Sequence, residues 1–234
     1  SHLHFPATKR SREYIIKMGE DPNFVHHVGC PAIDLLIEND LGVESDTLSK
    51  YTGVGSDIDL SKDYVVVLQH PVTTEYGSGR EQIEETLKAV KKLSEEGLQT
   101  IWLWPNIDAG SDDISKGIRS FRETENPKYI KFYKNFSPID YAKIINNSKC
   151  LIGNSSSGIY ELPYLKIPII NVGNRQLGRS LSSNIIQSSF ENVSENLIQV
   201  QENREKIISD IEFKYKIYDS KEIFIKSLDT ILIF

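Results

Sequence analysis

The sequence predicts an α/β fold built on a mostly parallel sheet flanked by helices. Three observations carry that expectation. Short, β-branched apolar runs alternate along the chain with longer stretches of helical period. The strongest run, residues 64–69 (Tyr-Val-Val-Val-Leu-Gln), is apolar almost throughout rather than at every second residue, which suits a strand covered on both faces. Polar and Gly-rich segments recur just after these runs, at the strand ends where such sheets hold ligands.

Taken in order, residues 3–6 read as a strand, Thr8 as a cap, and residues 9–18 as a helix closed by Gly19. Residues 24–28 read as a second short strand, 32–38 as a helix and 46–51 as a helical turn. After the strand at 64–69, residues 80–96 form a helix: Ile83, Leu87, Val90 and Leu93 fall on one stripe, and Gly97 closes it. The alternation continues through strands at 100–104, 129–133, 150–153 and 167–172. The helices between them are 113–122, 138–146 and 157–165. A short strand at 184–187 and helices at 195–208 and 220–231 complete the chain.

Bulk properties narrow the function. The chain has 234 residues, 39% hydrophobic and 26% charged, as in an ordinary globular protein. Its formal net charge of −6 argues against a nucleic-acid binder, which needs a basic face. A small phosphorylated ligand needs only local donors, so it stays open. No apolar run approaches the ~18 residues that would span a bilayer, so no membrane partner is expected. The cysteines, Cys30 and Cys150, fit neither a disulfide framework nor a zinc spacing, and suit a reduced, cytoplasmic protein. The chain opens without Met, directly into a strand-like stretch, which suggests a piece of a longer polypeptide.

Four strand ends carry candidate chemistry. Gly153-Asn154-Ser155-Ser156-Ser157-Gly158 lies between a strand and a helix, where small residues allow close backbone approach. Hydroxyls and free N–H groups there could hold a phosphate, although a plain Ser cap explains part of the pattern. Glu161, one turn after Ser157, could accept hydrogen bonds from a ribose diol, or simply suit the helix dipole. In Gly173-Asn174-Arg175-Gln176-Leu177-Gly178-Arg179, Arg175 and Arg179 are candidates for a pyrophosphate, since a guanidinium offers paired donors. His70, in Gln69-His70-Pro71-Val72-Thr73-Thr74, could donate to a phosphate or act as a general acid. Asn106 follows another strand and could meet a base or phosphate, while Asp108 beside it reads as a turn residue. His2 and His4 alternate along the first strand and share a face, but nothing completes a metal set around them.

In order and spacing, the segments QHPVTT (69–74), PNIDAGS (105–111), GNSSSG (153–158) and GNRQLGR (173–179) resemble the hydrolysing UDP-N-acetylglucosamine 2-epimerases. Residues 1–5 and 18–34 are similar too, so the resemblance covers essentially the whole chain. It implies a Rossmann-like sheet serving as the second domain of a glycosyltransferase-B-like fold, with UDP held mainly there. Residues 1–30 would be the tail of the first domain, 31–216 the UDP-binding domain, and 217–234 a C-terminal helix returning towards the first domain.

The resemblance assigns Ser155 and Ser156 to phosphate and Glu161 to ribose. Arg175, His70 and Asn106 would line the same cleft, Phe136 would sit at the uracil pocket, and His2 and His4 would match a His-x-His near the active cleft. His70 would lie nearest the sugar-phosphate bond. The implied reaction eliminates UDP across C1–C2 to a glycal and adds water to give N-acetylmannosamine, in sialic-acid-type sugar biosynthesis, without metal or redox cofactor. The family's acidic residues for the C2 proton belong to first-domain segments outside these 234 residues, so this chain alone is expected to bind UDP weakly and without turnover. A UDP-sugar glycosyltransferase of the same fold, or a non-catalytic UDP-sugar module, remains an alternative. Self-association into a homo-oligomer is left open.

Overall fold

The computed structural model describes residues 2–75, 77–179, 181–209, 211 and 220–231. The sequence boundary at 216–217 lies outside these residues. In chain order the helices are α1 Lys9–Lys17, α2 Pro31–Glu38, α3 Gly79–Glu95, α4 Ser111–Glu125, α5 Pro138–Asn146, α6 Ser157–Tyr160, α7 Val193–Ser209 and α8 Ser220–Ile231. The strands are β1 Gly53–Gly55, β2 Tyr64–Leu68, β3 Gln99–Leu103, β4 Ile130–Tyr133, β5 Leu151–Gly153, β6 Ile169–Val172 and β7 Ile185–Ser188. The chain divides into two compact units, one from Ser1–Asp40 with Phe213–Phe234, the other Leu41–Glu212.

In the smaller unit Thr8 caps α1, its side chain accepting from Ser11 N–H. The strands expected at 3–6 and 24–28 are not formed as strands. They reduce to a single parallel bridge, His4 with Val25. Pro22 opens a 3-10 turn, Pro22–Phe24, capped by Asp21, which takes up the start of the second run. Asp34 on α2 caps α8, its Oδ2 accepting from Ser220 N–H at 2.9 Å, and the Phe5 and Phe224 rings meet at 4.7 Å.

The larger unit is one seven-stranded sheet in the order β1-β4-β3-β2-β5-β6-β7. Every pairing is parallel except β1 with β4. The run at 64–68 is apolar throughout because both faces of β2 are covered. Val65 and Val67 pack with Ile83, Leu87 and Val90 of α3, Ile118 of α4 and Leu197 of α7. Tyr64 and Val66 belong to the opposite cluster, with Ile144 and Ile145 of α5 and Leu162. The two-residue period of a strand thus feeds two separate cores. The Tyr64 hydroxyl donates to Ile144 O at 2.7 Å, so even its polar end is used.

Two differences from the sequence reading affect the larger unit. The edge strand β1, Gly-Val-Gly, carries no alternation to signal it; it exists because β4 offers an edge to pair with. The helix expected at 157–165 breaks at Glu161 into α6 and a 3-10 turn, Leu162–Leu165, with Pro163 in its first turn. Proline has no N–H to continue the α-helical ladder.

Close approach of β2 and β5 depends on one residue. Gly153 has φ +143°, and a Cβ there would lie 1.9 Å from Leu68 O. Gly153→Ala is therefore expected to lower unfolding free energy by about 2–4 kcal/mol. Gly97→Ala should cost only about 1 kcal/mol, because Gly97 has φ +86° but its added Cβ would meet nothing within 4 Å. Urea denaturation of the two variants checks this, and equal losses would remove close packing as the cause.

Candidate functional site

The loops after β2, β3, β5 and β6 converge on one rim, and side-chain amides tie them together. Asn154, fully buried just after β5, donates its backbone N–H to Leu68 O at 3.2 Å. Its Oδ1 accepts from His70 N–H at 2.7 Å, and its Nδ2 donates to His70 O at 2.9 Å. The Asn154 carbonyl accepts from Gln176 Nε2 at 2.7 Å and from Arg175 Nη1 at 3.1 Å. One residue therefore joins the β2, β5 and β6 loops. The β3 loop joins through Asn106, whose backbone N–H donates to His70 Nδ1 at 3.2 Å. The Arg175 guanidinium lies 3.4 Å from Asp108 Oδ2, closing the ring from the other side.

His70 is 3% exposed. Because Nδ1 accepts from Asn106, the ring proton resides on Nε2. Burial lowers the imidazole pKa from 6.5 to about 4; the Arg175 charge acts in the same direction and Asp108 opposes it. Of the roles open to His70, a neutral Nε2–H donor therefore fits the site, rather than an imidazolium near pH 7.

Around this ring the serines are partly exposed. Ser155 Oγ and Ser157 Oγ lie 3.0 Å apart, and Ser157 N–H points to Ser155 Oγ at 3.4 Å. Ser156 sits immediately before α6 and makes no side-chain cap bond. Glu161 ends that turn, donating its N–H to Ser157 O at 3.0 Å, so the one-turn relation to Ser157 holds although the helix stops. Burial raises the Glu161 carboxyl pKa. Phe136 is half-buried; its ring lies 4.8 Å from Tyr51, edge-on, and 5.0 Å from Tyr133. The Tyr51 hydroxyl fixes that corner by donating to Asp140 Oδ2 at 2.5 Å and accepting from Ser137 N–H.

The remaining sequence candidates make none of the hydrogen bonds of this ring. Arg179 is exposed, and its guanidinium lies over the Tyr160 ring at 5.0 Å. His2 and His4 belong to the smaller unit. His2 is exposed and His4 Nε2 is 3.0 Å from Glu20 Oε2; they do not lie on a common strand, since only the bridge at His4 forms. Asp108, read as a turn residue, also faces Arg175. Sequence reasoning singled out neither Asn154 nor Gln176. The available signal was an amide residue directly after a glycine at a buried strand end, where unmet backbone groups need donor and acceptor together.

The family model described as UDP-N-acetylglucosamine 2-epimerase matches residues 1–228, and the chain belongs to that family. It is 33% identical over 191 residues to the polysialic acid biosynthesis protein P7 of Escherichia coli, covering 82% of this chain and 46% of that protein. It is 32% identical over 186 residues to the UDP-N,N'-diacetylbacillosamine 2-epimerase (hydrolyzing) of Legionella pneumophila, covering 80% and 46%. The chain thus spans about half the length of these curated relatives. Among solved structures it resembles the UDP-GlcNAc 2-epimerase of Neisseria meningitidis bound to UDP-GlcNAc, with a TM-score of 0.71 at 14% identity. That match covers 98% of this chain and 62% of the other, and shows a shared fold.

Two expectations follow from the ring. The folded state binds fewer protons at His70 than the unfolded chain between about pH 4 and 6.5. Its contribution to stability is complete above that window and is lost as pH falls through it. His70→Gln should flatten the pH dependence of unfolding free energy there by up to ~1.4 kcal/mol per pH unit, and the His70 imidazole should titrate near 4 by NMR. Asn154→Asp keeps the acceptor for His70 N–H but sets a carboxylate oxygen against His70 O. It should cost about 2–4 kcal/mol at neutral pH and less in acid, where the protonated carboxyl can donate again. A pH-independent loss would place the defect elsewhere.

Proposed function

We propose that the larger unit holds the UDP moiety in a hydrolysing UDP-N-acetylglucosamine 2-epimerase, acting on UDP-GlcNAc or a related UDP-hexosamine to release UDP and a ManNAc-type sugar. The observation that carries this reading is the rim itself: a neutral, buried His70 donor held between Asn154 and Asn106, with the serine loop and Arg175 beside it. Family membership and the hydrolysing 2-epimerase identity of the Legionella relative support it.

In this reading the Ser155 and Ser156 hydroxyls and Arg175 hold the diphosphate, and Glu161 accepts from the ribose hydroxyls. Phe136, braced by Tyr51, borders the uracil, and Asn106 lines the cleft. In the elimination the C2 proton passes to an acidic residue of the first domain, as the family resemblance implies. Its bonding pair forms the C1–C2 double bond, and the bond from C1 to the phosphate oxygen breaks with its electron pair leaving on UDP. The resulting glycal then takes up water. His70 Nε2–H donates to the departing phosphate oxygen as its charge grows. A neutral donor fixed in a dry site needs no reorganisation at that moment. An incoming phosphate also competes with Asp108 for Arg175, so the ion pair seen here is exchanged rather than added.

We assign the larger unit, Leu41–Glu212, to the UDP-binding domain, ten residues later at its start than the expected 31–216, because α2 groups with α8. Residues 1–40 with α8 are assigned to the side of the first domain. The grouping of α8 with the N-terminal forty residues supports the latter assignment. Among the described residues no helix is long and apolar enough to cross a membrane. The free thiols Cys30 and Cys150 support a cytoplasmic setting.

Calorimetric titration with UDP, using ADP as control, tests the site. Saturable binding of UDP alone is expected. Ser155→Ala combined with Glu161→Ala should weaken it tenfold or more, since each lost charge-assisted hydrogen bond costs ~1.5–3 kcal/mol. Unchanged affinity would remove both residues from the site. With UDP-GlcNAc as substrate, sugar transfer to an acceptor without a glycal would favour a transferase.

A further inference from the structure

Behind Ser155 runs a line of two further hydroxyls, Tyr141 and Ser157, that the roles above do not use. The Tyr141 hydroxyl, on α5, lies 2.8 Å from Ser157 Oγ, which lies 3.0 Å from Ser155 Oγ. The line begins at a partly buried ring packed against the cluster around Tyr64 and Ile144, and ends at a partly exposed serine on the rim. We propose that Tyr141 is a positioning residue that directs the Ser155 proton outward onto the ligand's phosphate. This rests on the reading of Ser155 as a phosphate-binding residue.

Proton accounting supports the direction. Each of the three hydroxyls has one proton to give. Burial raises the Tyr141 phenol above its ordinary value; the Ser157 hydrogen bond opposes this and the Glu161 charge reinforces it, and the net rise keeps the phenol protonated across the working pH range. A phenol is also the stronger donor of the Tyr–Ser pair, so it gives its proton to Ser157 Oγ. Ser157 then gives its own proton to Ser155 Oγ, which also faces the Ser157 backbone N–H at 3.4 Å. With both of its acceptor directions taken from within, Ser155 has its O–H left to turn to the cleft. Each bond in such a chain polarises the next, which makes the last donor stronger than an isolated serine. Without the phenol, Ser155 can donate inward to Ser157, and that orientation competes with the ligand.

Removal of one oxygen in Tyr141→Phe tests this, because the ring that packs against the core is kept. Binding of UDP and of uridine is followed by NMR titration of the wild type, Tyr141→Phe, Ser155→Ala and the double variant. Tyr141→Phe should weaken UDP about three- to tenfold and leave uridine affinity unchanged. The double variant should bind UDP no more weakly than Ser155→Ala alone, since Tyr141 acts only through that hydroxyl. Equal weakening of UDP and uridine, or losses that add in the double variant, would overturn the proposal and leave Tyr141 a packing residue. A Ser155→Ala variant with wild-type UDP affinity would instead overturn the phosphate-binding reading, and the proposal with it.

Discussion

The Asn154 side chain closes two hydrogen bonds on the backbone of a single residue, His70, while its own carbonyl receives Arg175 and Gln176. The other features of the rim depend on this joint. Strand ends in a parallel sheet leave backbone donors and acceptors without ladder partners, and where they are buried these groups must be met by something other than water. A carboxamide meets one N–H and one C=O at once and carries no charge. Asn154 reaches that position because Gly153 lets the chain pass within touching distance of Leu68 O, a path that any Cβ would block.

The same choice recurs around the rim. Asn171 on β6 donates to Gln187 Oε1 on β7, and Gln187 Nε2 donates to Gly173 O, the first residue of the arginine loop. At the opposite end of the sheet, Asn184 Nδ2 donates to Ile167 O ahead of β6. Loops tied by neutral amides leave the charged groups free of structural duty. Arg175 is the partial exception, and its carboxylate partner Asp108 is only 3.4 Å away and partly exposed, so that contact is weak enough to exchange. Structure comes from amides, which leaves the guanidinium, hydroxyls and imidazole available for the anion recognition proposed above.

Much of this could be read from the sequence because it follows from period and position. The apolar run of β2, the stripe on α3 and the polar segments after β3, β5 and β6 are local patterns, and the fold repeats them. The terminal run at 3–6 was misread because an apolar stretch shows that a segment could pair but not whether a partner strand forms. Here the segment that would have paired is partly a 3-10 turn. β1 was invisible for the opposite reason: Gly-Val-Gly has no strand signature and is held by the open edge of β4. At the site, His70, Ser155 and Arg175 stood out because their chemistry is visible in their type. Asn154 and Tyr141 did not, because their importance lies in which long-range partners they meet, 84 residues apart in one case and 16 in the other.

That separation also explains why the rim can be rigid and still respond to a ligand. The amide joints have no second arrangement of comparable energy, since breaking one strands a buried N–H and a buried C=O together. The hydroxyl line does have one: each O–H can rotate about its C–O bond, so the row from Tyr141 to Ser155 can run outward or inward with no heavy atom moving. Outward donation is favoured by the phenol at its buried end and by an anion at its exposed end, and the two influences add along the same line. In the proposed reading, a diphosphate arriving at Ser155 would meet fixed loops whose adjustments are the exchange of Arg175 from Asp108 and the direction of a few protons. In the proposed reaction, adjustments of this size leave little reorganisation before charge develops on the leaving oxygen.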